Sequence, residues 1–171
     1  SKQSIVSEAK LLTDNPNFKG YIHDVGGPTA NFRRSSCLKQ AEQGLCKGKK
    51  CLAPTPCKAM TVDHSEYLDI LRTLRDLPKV KKVFIRSGIR YDYMLKDKDD
   101  TFFRELVKYH VSGQLRVAPE HVSDQVLHHM GKPGHKVYTD FLKKFDRFNG
   151  QFGLKQYVVP YFMSSHPGCT L

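Results

Sequence analysis

Two groups of residues in this chain have the types and spacing that chemistry requires. The first is Glu120-His121, which follows Leu115-Arg116-Val117-Ala118-Pro119 and precedes Ser123. The apolar run reads as the end of a short buried strand, and Pro119 stops it because proline has no N–H to continue a ladder. Ser123 is a good N-cap for a helix that follows. A carboxylate and an imidazole thus stand at the C-terminal end of a strand, where parallel α/β folds bind ligands. An ordinary strand–turn–helix with a solvated Glu and His fits the same pattern. The second group is Cys37, Cys46, Cys51 and Cys57, spaced C-x8-C-x4-C-x5-C. Four thiolates can chelate zinc or hold an auxiliary iron–sulfur cluster. The compact C-x2-C knuckle is missing, and a loop of free thiols fits as well. His23, His64 and His121 lie near strand ends or this segment and are further candidate ligands.

Around those cysteines the chain is strongly basic. Arg33, Arg34, Lys39, Lys47, Lys49, Lys50 and Lys58 face the single acid Glu42. With a formal net charge of +11, this favours an anionic substrate or partner such as RNA. Little aromatic interleaving is present for base stacking, and a solvated basic loop carries the same charges. The 171 residues suffice for one domain with a proper core, and 39% hydrophobic content describes a globular chain. No apolar run reaches the ~20 residues that span a bilayer, so no membrane role is expected. An odd number of cysteines without a secretory signal points to a reducing compartment, hence a cytoplasmic protein. The chain opens without Met and ends on Gly-Cys-Thr-Leu, and is expected to be a piece of something longer.

The elements that must hold these groups follow from periodicity. Residues 1–13 read as an amphipathic helix with Ile5, Ala9 and Leu12 on one face, broken at Asn15-Pro16-Asn17. A strand over 21–25 runs into Gly26-Gly27-Pro28. Residues 29–62 lack apolar periodicity and read as a Cys-rich basic insertion. Asp63 and Glu66 form a capping-box pattern for a helix burying Tyr67, Ile70, Leu71, Leu74 and Leu77. A strand over 83–85 ends at Arg86-Ser87-Gly88. Asp99 or Asp100 caps a helix with Phe102, Phe103, Leu106, Val107 and His110 on its buried stripe. After the strand at 114–118 comes a helix closed by Gly131 and Pro133. The clearest helix is 135–149, with Gly150 at the C′ position, and a last strand covers 156–160. Strands alternating with helices imply parallel pairing. The expected fold class is α/β. It is read as an incomplete (β/α) barrel with outer helices, because every strand ends in a polar or glycine-rich loop, as if all faced one site. No G-x-G-x-x-G follows the first strand, which disfavours a dinucleotide fold.

Taken together, GYIHDVGGPTANF (20–32), VFIRSGIRYDY (83–93), LRVAPEHVSDQVLHHMGKP (115–133) and YVVPYFMSSHPGCT (157–170) resemble the middle of a radical SAM enzyme of the YgiQ type. The resemblance covers essentially the whole chain. It implies a partial TIM-like barrel, with a [4Fe–4S] cluster on a C-x3-C-x2-C loop and S-adenosylmethionine cleaved to a 5′-deoxyadenosyl radical. That cysteine motif is absent from these residues, so 1–171 is expected to be a fragment of the core, inactive by itself, with its cluster ligands outside. An electron donor is implied for the intact enzyme.

The same resemblance implies site residues. Gly26 and Gly27 match a glycine motif whose carbonyls receive the cofactor ammonium, with Pro28 where the family usually has an acid. Glu120 lies where a polar residue reaches the ribose hydroxyls. Ser87, Arg90, Arg116 and Lys132 are candidates for the methionine carboxylate, and Tyr161 with Phe162 for the adenine. The alternative is a binding module without catalysis, in which zinc staples the basic segment onto nucleic acid. Without its neighbouring strands the piece is expected either to self-associate through open strand edges or to have those edges covered by residues 1–13 or 29–62 folding back.

Overall fold

A computed structural model describes residues 1–48 and 50–169; Lys49 of the basic segment lies outside the described residues. In chain order the elements are α1 (Lys2–Asp14), β1 (Tyr21–Ile22), α2 (Leu38–Gln43), α3 (Ser65–Arg75), β2 (Lys82–Val83), α4 (Tyr91–Met94) and α5 (Thr101–Glu105). A π-helical turn, Leu106–His110, continues α5. Then come β3 (Gln114–Glu120), α6 (Asp124–Met130), α7 (His135–Gln151) and β4 (Tyr157–Phe162). The strands form two parallel pairs, β1 with β2 and β3 with β4. The parallel pairing therefore matches the alternation of apolar strands and helices. Among the described residues, no helix is long and apolar enough to cross a membrane.

The strands differ from expectation at their ends. Regular pairing of β1 and β2 stops early, yet the Val25 N–H donates to the Phe84 carbonyl at 2.8 Å and the Gly27 N–H to Gly88 at 3.0 Å. The two chains stay side by side as far as Gly88 without a full ladder. Pro119 does not end β3. Between Val117 and Glu120 the register shifts, so β3 places three steps against two on β4. A proline is tolerated within that irregularity because no ladder donor is needed there. Pro160 likewise falls inside β4, which reaches Phe162.

Helix ends also shift. Glu66 does not close a capping box; its carboxylate meets Arg33 and Arg34, while Asp63 Oδ1 accepts from the Ser65 N–H at 2.7 Å. Leu12 is 47% exposed and Thr13 is buried in its place. Gly150 lies inside α7, and Gly153, at φ +63°, makes the turn that follows it. Two short helices, α2 and α4, escape periodicity because neither completes two turns.

The core is continuous. Leu71, Val83, Ile85, Leu106, Val107, Leu115, Phe141 and Phe145 are each fully buried. Phe141 packs on Phe103 and Tyr91, with ring centroids 5.4 Å apart in both cases. His110 ties the π-helical turn to β2. Its Nδ1–H donates to the Val83 carbonyl at 2.8 Å, and its own carbonyl accepts from the Ile85 N–H at 2.9 Å. Burial pushes its pKa down to about 4, so it sits neutral in the core. The face of β4 that carries Tyr157 and Tyr161 is less covered, with these residues 67% and 63% exposed.

Candidate functional site

The segments that follow β1 and β2 and the C-terminal ends of β3 and β4 meet around one cavity of about 400 Å³. Pro28 and Thr29 come from beyond β1, Ser87 to Asp92 from beyond β2, Arg116 to Glu120 from β3, and Tyr161 from β4. Lys132 and Pro133, after α6, close one side. Six residues singled out from local pattern and resemblance (Ser87, Arg90, Arg116, Glu120, Lys132 and Tyr161) thus line one cavity.

Glu120 is the centre of this arrangement. Its φ is +72°, a left-handed conformation that costs a residue with a Cβ of order 1 kcal/mol or more. The carboxylate is largely buried, and the Lys132 Nζ donates to Oε1 at 3.2 Å. Oε2 is buried with no hydrogen-bond partner among the described residues. Buried carboxylate oxygens are normally satisfied, so this one presents an unused acceptor at a cavity wall. Strained backbone together with an orphan acceptor is a combination that clusters at ligand sites.

Asp24, which the local pattern did not single out, fastens the far side. Its Oδ1 accepts from the N–H of Gly26 at 2.8 Å and of Arg86 at 2.9 Å, and its Oδ2 from the N–H of Ser87 at 3.1 Å. Burial alone would raise its pKa. The Arg86 N–H, the Ser87 hydroxyl and the other amides outweigh that and hold it below the usual carboxylate value. The signal for it lay in its place, an acid directly between a strand and two glycines. At Gly26 a Cβ would come within 2.9 Å of Ile85 Cγ2 and 3.0 Å of the Gly88 carbonyl oxygen. The glycine pair therefore lets the two loops lie flat together. Gly26 and Gly27, whose carbonyls were expected to receive the cofactor ammonium, are not among the residues that line the cavity, and the Gly27 carbonyl already accepts from the Ala30 N–H at 3.1 Å.

A buried polar relay locks the same loops. Asn31 Nδ2 donates to the Arg90 carbonyl at 3.1 Å, and Asn31 Oδ1 accepts from the Arg90 N–H at 3.2 Å. That amide nitrogen also lies 3.2 Å from His64 Nε2, and His64 Nδ1 lies 2.6 Å from Asp97 Oδ2. Because Asn31 donates, Nε2 is the lone pair and Nδ1–H faces Asp97. Burial lowers the His64 pKa against the opposing pull of Asp97. Both ring nitrogens are thereby occupied, so His64 is a structural residue and not a free ligand. His23 is exposed, stacked on Tyr21.

Electrostatically the cavity is cationic on one side. The Arg90 guanidinium is paired with Asp92 through Nε to Oδ1 at 2.8 Å and Nη2 to Oδ2 at 2.5 Å, which raises its pKa. Most of its fork is thus committed before any ligand arrives. Arg116 makes no ion pair among the described residues and lines the cavity. Burial raises the Tyr91 pKa, so its phenol remains a donor in the wall. Tyr161 and Phe162 do not act together: successive strand residues point to opposite faces, and Phe162 lines a different hollow.

The basic segment forms a neighbouring cavity of about 550 Å³ lined by Arg33, Arg34, Lys50 and Cys51, which shares Arg90 with the first. Within that segment Cys37 is the N-cap of α2, its Sγ accepting from the Gln40 N–H at 3.3 Å. The Cys57 N–H donates to the Cys51 carbonyl at 2.8 Å. Among the described residues no group of three or more His, Cys, Asp or Glu side chains is placed to hold a metal ion.

Comparison with known proteins gives one consistent result. All 171 residues align at 61% identity with a UPF0313 protein of Clostridium perfringens strain 13, and at 57% identity with a UPF0313 protein of Clostridium botulinum strain Okra. The chain spans only about a quarter of these curated relatives, 26% and 27% of their lengths. No family model matches it. No solved structure matches it.

Proposed function

We infer that this chain is part of the S-adenosylmethionine cradle of a radical SAM enzyme, built as an incomplete (β/α) barrel whose cluster-binding cysteines lie outside it. One observation supports this above the others: Glu120, in strained backbone, lines the cavity at the strand ends and keeps a buried carboxylate oxygen without a hydrogen-bond partner among the described residues. The residues suit the cofactor. A carboxylate with one oxygen held by Lys132 and the other unused can accept from ribose hydroxyls. Arg116 and Lys132 provide positive charge for the methionine carboxylate, Ser87 a hydroxyl, and Tyr161 an aromatic face for adenine. The volume, about 400 Å³, falls in the range of ~300–1,000 Å³ typical of small-ligand pockets. In the family the resemblance points to, bound S-adenosylmethionine beside a reduced cluster supplies a 5′-deoxyadenosyl radical. The residues of this chain bind, orient and neutralise; they do not supply that chemistry. The substrate is proposed to be anionic, because the basic cavity of Arg33, Arg34 and Lys50 opens beside the first across Arg90.

The test is binding of S-adenosylmethionine to the protein before and after the segment preceding Ser1 is included and iron and sulfide are reconstituted anaerobically. Weak or no binding is expected of the 171-residue chain, and binding with a cluster absorbance of the longer form. A longer, reconstituted form that shows no cluster and no binding removes the proposal. The zinc or auxiliary cluster reading of Cys37, Cys46, Cys51 and Cys57 has its own assay: near-stoichiometric zinc or iron by elemental analysis, released by Cys51→Ser.

A further inference from the structure

On the other side of β3 from this cavity lies a second chemical pair. The left-handed turn at Glu120 sends its side chain to the cavity and delivers His121 to a separate hollow of about 550 Å³. There His121 Nε2 lies 3.5 Å from the sulfur of Cys169, which comes from 48 residues further along the chain. Val122, Phe162, Met163, Ser164 and Ser165 form the rest of the lining. The apolar members are open to solvent, Val122 at 59%, Phe162 at 47% and Met163 at 42%. The thiol is therefore half-buried, reachable, and flanked by both apolar and hydroxyl groups.

The tautomer of His121 is set from the opposite side. The Ser123 N–H donates to His121 Nδ1 at 2.9 Å, so Nδ1 carries the lone pair and Nε2 carries the hydrogen. That N–H points to Cys169. It cannot accept the thiol proton at Nε2, so His121 is a hydrogen-bond donor to sulfur and not a general base. The N–H aimed at sulfur holds the side chain of Cys169 in one place at the wall of the hollow. The position of Cys169 is itself fixed. Gly168, at φ +93°, lies against α6, where a Cβ would come 3.0 Å from the His129 ring, and the Cys169 N–H donates to the His166 carbonyl at 3.0 Å.

We propose that Cys169 with His121 is a thiol-exchange site that takes up low-molecular-weight disulfides as a mixed disulfide. The Cys169 thiolate attacks one sulfur of the incoming disulfide, that S–S bond breaks, and a new S–S bond forms at Cys169. The displaced half leaves as a thiolate and takes a proton from water. Cys169 is oxidised and the small disulfide is reduced to one thiol. The neighbouring hollow receives the attached group, and His121 positions and stabilises the attacking sulfur. This inference does not depend on the cofactor reading of the cavity behind it.

The experiment exposes the purified protein to oxidised glutathione and follows each cysteine by peptide mapping. Cys46, half-buried and without a side-chain partner among the described residues, is the internal reference, in protein first treated with a chelator so that no metal at the four cysteines masks it. Cys169 is expected to form its mixed disulfide at least about fivefold faster than Cys46, because its sulfur is held by His121 beside a hollow that receives the attached group. His121→Ala should bring that ratio below about twofold with the Cys46 rate unchanged, and a parent-like circular dichroism spectrum reports that the variant is folded. His121→Gln retains an N–H of similar reach and should hold the ratio above twofold. A ratio below fivefold in the parent, or one that His121→Ala leaves intact, overturns the proposal. Equal loss in the Ala and Gln variants overturns the donor role of His121.

Discussion

The Nζ of Lys132 stands 3.2 Å from Oε1 of Glu120, while the second carboxylate oxygen, Oε2, is buried with no hydrogen-bond partner among the described residues. The pair joins the segment after α6 to the end of β3. It fixes a carboxylate on left-handed backbone, at φ +72°.

Replacing Glu120 tests that division. In a cluster-reconstituted form, Glu120→Ala should weaken S-adenosylmethionine binding by ~1.5–3 kcal/mol, the range for hydrogen bonds to a charged group. Calorimetry on parent and variant checks it. The same substitution also removes the Lys132 ion pair, so it should cost the fold about 1 kcal/mol, read from urea melts of parent and variant. Undiminished affinity in the variant would take Glu120 out of the site.

Asp24 should matter for stability and for the shape of the cavity. Asp24→Ala removes the acceptor of three backbone N–H groups. The side chain is partly exposed, so the cost is set low, ~1–2 kcal/mol at neutral pH. Its folded pKa lies below the ordinary 3.8, so its contribution is present above that value and is lost as pH falls through the folded one. Urea melts at pH 7 and pH 3 should therefore show a clear gap between parent and variant that narrows in acid. An equal gap at both pH values would assign the cost to shape alone.

His110 makes the opposite kind of group sensitive in the same direction. Its folded pKa is pushed down from 6.5 to about 4 by burial, so between those values the unfolded chain binds the extra proton. The stability due to neutral His110 is full above pH 6.5 and drains away as pH falls toward 4. His110→Phe should flatten that part of the profile. It should also cost ~1–3 kcal/mol at pH 8, because the Val83 carbonyl loses its donor. Chemical denaturation across the pH range reads both effects.

The open face of β4 should make the isolated chain associate. Tyr157 and Val159 are exposed on one face, and among the described residues β4 pairs on one side only, with β3. An apolar edge strand recruits another chain. Sedimentation should show concentration-dependent dimers or larger species, and Val159→Lys should shift the population toward monomer. A monomer at all concentrations before the substitution would mean that this edge is covered.

Periodicity and punctuation in the sequence determined the run of helices and strands, because they depend on residues a few positions apart. The i, i+3/i+4 apolar stripe of α7 put Phe141, Phe145 and Phe148 in the core, where all three are buried. Polar residues directly after strands marked Ser87 and Glu120, since a parallel strand delivers its C-terminal end to a common face. What lay beyond local pattern depends on register between distant segments. Asp24 reaches the N–H of Ser87 across 63 positions, and Asn31 grips Arg90 across 59. No spacing rule connects such pairs; only the parallel alignment of the chains after β1 and β2 does. The same holds for β3 and β4. Their irregular register and the left-handed turn at Glu120 set Tyr161 and Glu120 on one cavity, and Phe162, His121 and Cys169 on another. A strand alternates faces with every residue, so a shift of one position would have exchanged those partners, and that shift is decided by packing between strands.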